Sequence, residues 1–234
     1  MAKKPCASLE SQMTRTERIL GWCWLPFYLF ALSMLIGWVF RLLNVPTDEI
    51  SVNVIYFSVN LLFVLIAFRR FLLQRFFGKG IWDFLQALIV GGVLYYAGTW
   101  LIQAGITRFF GEFTVFNNVQ VESLASQNPT FMLIVSVVLA PVIEETLVRG
   151  VVFGSFYGAS GVLAYLVSGF LFIFMHNWQY LQTNALRDVL LSCLPYIPAC
   201  IALGWVYEKS GSIWCSITLH ALINAASFGL LTIS

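Results

Sequence analysis

Apolar residues run along this chain in helix-length blocks, each closed by a short polar break. Crossing a hydrocarbon core ~30 Å thick takes about 20 residues of helix. Seven blocks approach that length, at about 19–40, 51–68, 81–106, 130–156, 162–178, 189–207 and 213–233. The first closes at Arg41 and the Pro46-Thr47-Asp48-Glu49 turn, the second at Arg69-Arg70. The third carries Gly91, Gly92 and Gly98, small residues that let another helix approach closely. Pro141, Pro195 and Pro198 fall inside two later blocks and are expected to kink them, which membrane helices tolerate when neighbours satisfy the freed carbonyls. The longest polar connection, between Thr107 and Pro129, is rich in Asn, Ser and Gln and reads as a loop or a surface helix. The pattern predicts an all-α, polytopic transmembrane helix bundle of about seven spans, with eight as the nearest alternative. It divides into a polar basic segment (1–18), N-terminal spans with their loop (19–129), and a core (130–234) in which ionisable residues interrupt the apolar blocks.

Composition agrees with lipid as the solvent. Hydrophobic residues make up 59% of the chain, charged residues 10%, and the mean hydropathy is +0.83, whereas a soluble domain carries roughly 25% charged residues. The net charge of +2 is small and its basic residues are scattered, which argues against a nucleic-acid partner. Cys6, Cys23, Cys193, Cys200 and Cys215 show no paired spacing; four lie in apolar blocks, as small hydrophobes do. The first apolar block is too long for a signal-peptide core and lacks a small-residue cleavage site, so it reads as a retained span. Lys3, Lys4, Arg15 and Arg18 precede that span, and Arg69, Arg70, Arg75 and Lys79 follow the second, while Arg41 stands alone between them. By the Lys/Arg bias of loops, the N-terminus is expected in the cytoplasm.

Placing an ionisable side chain inside a span costs a few kcal/mol or more unless it is paired or hydrated. In LAPVIEETLVRGVVFG, Glu144, Glu145 and Arg149 follow Pro141. Glu145 and Arg149 are spaced i,i+4 and can pair on one helix face, while Glu144 is rotated by about 100° and can address something else. Two adjacent carboxylates with one guanidinium cannot both be ionised cheaply in low dielectric, so one is suited to exchanging protons with water or substrate. The bland alternative is a structural Glu145–Arg149 pair with Glu144 turned to a loop. Both histidines of the chain also lie in apolar blocks: His176 one turn after Phe172, and His220 one turn before Asn224. Either alone reads as a packing residue; together with the diacidic site they point to a shared polar pocket. Asp83, Arg187-Asp188 and Glu208-Lys209 read as charges at span ends.

These residues resemble the motifs of the CPBP intramembrane proteases, also called the Abi family, which includes CAAX prenyl endopeptidases and proteins linked to bacteriocin processing and self-immunity. The family's EExxxR motif stands as Glu144 to Arg149, its FxxxH motif as Phe172 to His176, and its HxxxN motif as His220 to Asn224, in the family's order. The resemblance covers roughly Thr130 to Ser234; the earlier spans match only in being hydrophobic. It implies a glutamic endopeptidase without cofactor. Glu144, assisted by His176, would activate water, His220 and Asn224 would donate to the oxyanion, and Glu145, Arg149 and Phe172 would support them. The implied substrate is a membrane-associated, lipidated or hydrophobic peptide or protein, with membrane lipid as the other partner. Three alternatives stay open: a zinc protease using the same His and Glu side chains, though no HExxH spacing is present; a transporter, though no internal repeat is found; and a non-catalytic immunity protein. No GxSxG is present, while Ser168 and Ser216 keep a serine nucleophile from strict exclusion.

Overall fold

The computed structural model describes residues 9, 12–73 and 76–229. Lys3, Lys4, Cys6, Arg75 and the end of the last apolar block at Ile233, used above, lie outside the described residues. Helices follow the apolar blocks: α1 (Arg15–Leu42), α2 (Glu49–Ala67), α3 (Ile81–Phe110), the polar α4 (Phe116–Gln127), α5 (Pro129–Tyr157), α6 (Gly161–Gln182), α7 (Leu186–Ser210) and α8 (Ile213–Ser227). Six of them are long and apolar enough to cross a membrane; α8 is apolar but shorter. The chain is an all-α polytopic bundle. Its outward side chains, such as Met34, Leu62, Ile66, Ile89, Trp82 and Trp100, are large, apolar and exposed, as helices facing lipid require.

Local chemistry sets the ends. Thr14 and Glu17 form a reciprocal capping box at the start of α1, the Thr14 amide donating to Glu17 at 2.7 Å and the Glu17 amide to the Thr14 hydroxyl at 3.1 Å. Asp48 caps α2 by accepting the Ser51 amide at 2.8 Å. Ser160 and Ser212 cap α6 and α8 in the same way. The polar connection is a helix, α4, beginning at Phe116, whose amide donates to Ser192 Oγ at 3.2 Å. Gly78 has φ +56°, and a Cβ there would lie 2.2 Å from the Ser210 carbonyl, so the turn after α2 lies directly on the α7–α8 corner.

Prolines shape the spans as their chemistry requires, because each removes a backbone donor and crowds the preceding turn. Pro26, inside α1, is followed by a π-helical stretch at Phe27–Ala31. Pro141 follows another at Val135–Leu139, and a third runs over Thr146–Phe153, so the carboxylates of α5 sit between two widened turns. In α7 a 3-10 turn at Leu194–Tyr196 contains Pro195, and Pro198 opens the α-helical stretch that follows. The small residues of α3 divide. Cβ atoms at Gly91 and Gly98 would press on Val206 and Pro198 of α7, whereas one at Gly92 meets nothing within 4 Å. The centre of the bundle is α5, where Ile143, Leu147, Val148, Val151 and Val152 are wholly buried.

Candidate active site

The three motif-bearing helices, α5, α6 and α8, meet at mid-bundle. Glu144 and Glu145 end the short α-helical stretch between the π-helical turns of α5, a feature frequent at functional sites. Being neighbours on a helix, they point apart. Glu145 is fully buried and turns toward α8, while Glu144 lines a cavity.

Glu145 is a hub. Its Oε1 accepts from Arg149 Nη1 at 3.0 Å and from His220 Nδ1 at 2.9 Å, and its Oε2 accepts from Ser216 Oγ at 2.6 Å. The short contacts are those of charge-assisted bonds. The Ser216 hydroxyl also lies 3.0 Å from the Leu203 carbonyl. Arg149, with no exposed surface, packs its guanidinium 4.6 Å from the centre of the Phe172 ring. Its Nε and Nη2 have no hydrogen-bond partner among the described residues, so the ion pair and the aromatic face hold the buried charge.

His176 and His220 are both anchored through Nδ1. His176 Nδ1 lies 2.8 Å from the Phe172 carbonyl, and because a carbonyl only accepts, this nitrogen carries the proton. The His176 ring also lies 4.6 Å from the Phe172 ring centre. Anchoring Nδ1 turns each Nε2 toward Glu144 Oε2, at 3.7 Å for His176 and 3.9 Å for His220. Those separations are too long for direct hydrogen bonds. Glu144 Oε2 has no hydrogen-bond partner among the described residues. Asn224, one turn beyond His220, is held by its Nδ2 donating to the Ser136 carbonyl at 2.7 Å. Among the described residues no group of three or more His, Cys, Asp or Glu side chains is arranged to hold a metal ion.

These groups sit in a cavity of about 450 Å³, lined by Glu144, His176, His220 and Asn224 and by amide side chains toward α4. All the residues singled out from the three motifs are thus brought together: Glu144, His176, His220 and Asn224 on the cavity wall, with Glu145, Arg149 and Phe172 against them. Ser168 and Ser216 direct their hydroxyls to Ala164 O and to Glu145 with Leu203 O, and neither bonds to a histidine among the described residues.

Two further groups belong to the site. Ser216, weighed from sequence only as a possible nucleophile, stands one turn before His220, and the i,i+4 series Ser216, His220, Asn224 is the signal that connects it. Tyr28 has no such signal. It comes from the π-helical stretch after Pro26, is buried, and lines the cavity with its side chain facing Glu144. The Tyr56 hydroxyl fixes that stretch by donating to the Tyr28 carbonyl at 2.7 Å.

With this geometry in place, the chain can be set beside known families. Residues 126–226 match the family described as Type II CAAX prenyl endopeptidase Rce1-like. This segment is similar to the CAAX-protease family. The match spans α5 to α8 and stops short of α1 to α3, as the motif resemblance does. The family this segment resembles is one of CAAX-type prenyl endopeptidases, which are hydrolases. No curated protein and no solved structure shows a significant match to the chain.

Proposed function

We propose that the protein is an intramembrane endopeptidase that hydrolyses a peptide bond of a membrane-associated, lipidated or hydrophobic peptide or protein by direct attack of water. The observation that carries this reading is the convergence of Glu144 Oε2 with the Nε2 atoms of His176 and His220 on a cavity wall, at 3.7 and 3.9 Å. A water between Glu144 and His176 meets two proton acceptors, because His176 already spends its Nδ1–H on Phe172. Glu144 takes the proton as the water oxygen bonds to the scissile carbonyl carbon. The proton is then delivered to the leaving amine as the C–N bond breaks, giving an acid and an amine with no covalent enzyme intermediate.

His220 and Asn224 supply the oxyanion donors. His220 gives its Nδ1–H to Glu145, so donation from Nε2 makes it an imidazolium, whose charge the Glu145 carboxylate at 2.9 Å balances. Asn224 uses its amide nitrogen to reach Ser136 and keeps a second N–H for the substrate oxygen. Preorganised donors of this kind lower the barrier because they need not reorient as charge develops. No cofactor takes part in this scheme.

The test is purified protein in detergent, offered a peptide library beside Glu144→Gln, His176→Ala and Asn224→Ala. Cleavage by wild type that Glu144→Gln abolishes is the expected outcome. Equal cleavage by wild type and Glu144→Gln sinks the assignment.

A further inference from the structure

The direction in which the cavity opens can be read against the distribution of charge on the two ends of the bundle. One end is defined by the start of α1, the turn after α2 and the α7–α8 corner. Gln12 donates to the Gly211 carbonyl at 3.0 Å, the Lys79 amide to Ser210 O at 2.9 Å and the Trp214 indole to Leu72 O at 2.8 Å. The other end is defined by α4, the end of α6 and the start of α7, where Tyr180 donates to Gln120 at 2.6 Å and the Phe116 amide to Ser192.

The cavity opens at the second end. Beyond the five motif side chains Glu144, Phe172, His176, His220 and Asn224, its lining includes Asn53 near the start of α2, Gln103 late in α3, Asn117, Asn118 and Gln120 of α4, and Gln179 at the end of α6. Gln103, Asn118, Gln120 and Gln179 are exposed, so the mouth is a rim of neutral amides suited to water rather than to hydrocarbon.

Basic residues gather at the first end. Arg15, Arg18, Arg69, Arg70, Lys79 and Lys209 flank the spans there, and Lys3, Lys4 and Arg75 fall in the same flanks by sequence position. The mouth end has Arg41, Arg108 and Arg187 alone, accompanied by Asp48, Glu49, Glu112, Glu122 and Asp188. Lys and Arg close to span ends hold those ends in the cytoplasm.

We infer that the cavity opens on the extracytoplasmic face, so that the peptide bond it receives belongs to an exported or membrane-inserted chain displayed on that side. This rests on the endopeptidase reading for its substrate; the direction of opening stands on topology alone. A cytoplasmic C-terminus held at the inner leaflet would meet the closed, basic end of the bundle, with the floor of α5 between it and Glu144. An extended segment entering from outside passes the amide rim, whose side chains both donate to and accept from peptide groups, and reaches Glu144 without crossing a charged ring.

The test reads topology and cleavage separately. Ser123→Cys in α4 and Thr16→Cys in α1, both exposed positions and charge-neutral changes, are introduced singly into the full chain. Intact cells are then treated with a membrane-impermeant maleimide, and labelling is scored above the wild-type signal. Ser123→Cys is expected to label in intact cells and Thr16→Cys only after permeabilisation; the reverse pattern overturns the inference. For the cleavage arm, the library peptide cut best in detergent is placed on either side of the single span of a reporter protein. Cutting of the outer placement alone is expected. Cutting of the cytoplasmic placement overturns the inference and leaves the hydrolase reading intact. Failure of any Glu144-dependent cutting in detergent overturns the endopeptidase reading, while the labelling result still decides the opening.

Discussion

Ser216→Ala is the sharpest probe of how the buried hub governs His220, the histidine proposed to donate to the oxyanion. The change removes one hydroxyl from a fully buried position and introduces no new atom. What is lost is the 2.6 Å bond to Glu145 Oε2 and the 3.0 Å contact with the Leu203 carbonyl. A hydrogen bond to a charged group contributes about 1.5–3 kcal/mol. Glu145 keeps Arg149 and His220 through Oε1, so the carboxylate remains paired but is free to rotate about its end. That rotation displaces Oε1 and, with it, His220, whose Nε2 is the proposed oxyanion donor. If the whole of that energy appears in the transition state, kcat falls by about 10- to 150-fold. KM should move little, because in the proposed mechanism His220 is aimed at charge that forms only in the transition state. The assay is steady-state hydrolysis of the library peptide in detergent, with Ser216→Ala also made in a Glu145→Gln background. There the loss should shrink, since the acceptor is no longer charged. An unchanged kcat for Ser216→Ala, or an equal loss in both backgrounds, would refute the hub argument.

Other outcomes follow from the same geometry. Arg149→Met strands Glu145 in the core and should destabilise the protein by about 3–5 kcal/mol, read as a fall in thermal unfolding temperature in detergent; adding Glu145→Gln should recover part of it. Asn224→Ala removes a proposed oxyanion donor and should lower kcat by about 10²–10³, while added chelator should leave wild-type kcat unchanged; loss of activity with chelator and rescue by zinc would refute the metal-free scheme. Gly91→Ala drives a Cβ to 2.2 Å from Val206 and should cost about 1–3 kcal/mol of stability, whereas Gly92→Ala, facing open space, should be neutral or slightly stabilising. The same unfolding assay separates them, and equal behaviour would contradict the packing of α3 on α7.

The spans were legible in the sequence because lipid imposes a harsh rule on composition and length. Every apolar block became a helix, and the polar connection resolved into α4, a choice its composition left open. The division of labour in the acidic pair was also legible: a rotation of about 100° separates Glu145, bound to Arg149 and His220, from Glu144 on the cavity wall. Three things were not. Tyr28 comes from a span with no motif, and only three-dimensional folding sets it beside Glu144. The π-helical stretches leave no periodic trace, since they insert wide turns into blocks that are apolar on nearly every face. The small residues of α3 carry no mark of which one faces a neighbour, so Gly92 looked equivalent to Gly91 until packing distinguished them.

The placement of Ser216, His220 and Asn224 on α8 bears on when the protein can act. Glu144, Glu145, Arg149 and His176 all precede α8 in the chain and are synthesised and inserted first. Until α8 joins the bundle, the Glu145 hub lacks two of its three partners, and the proposed oxyanion donors are absent. In the proposed mechanism, a chain that has not yet added α8 carries Glu144 and His176 without the oxyanion donors and cannot complete hydrolysis. On that mechanism, competence arrives only when α8 has packed against α5 and completed the bundle.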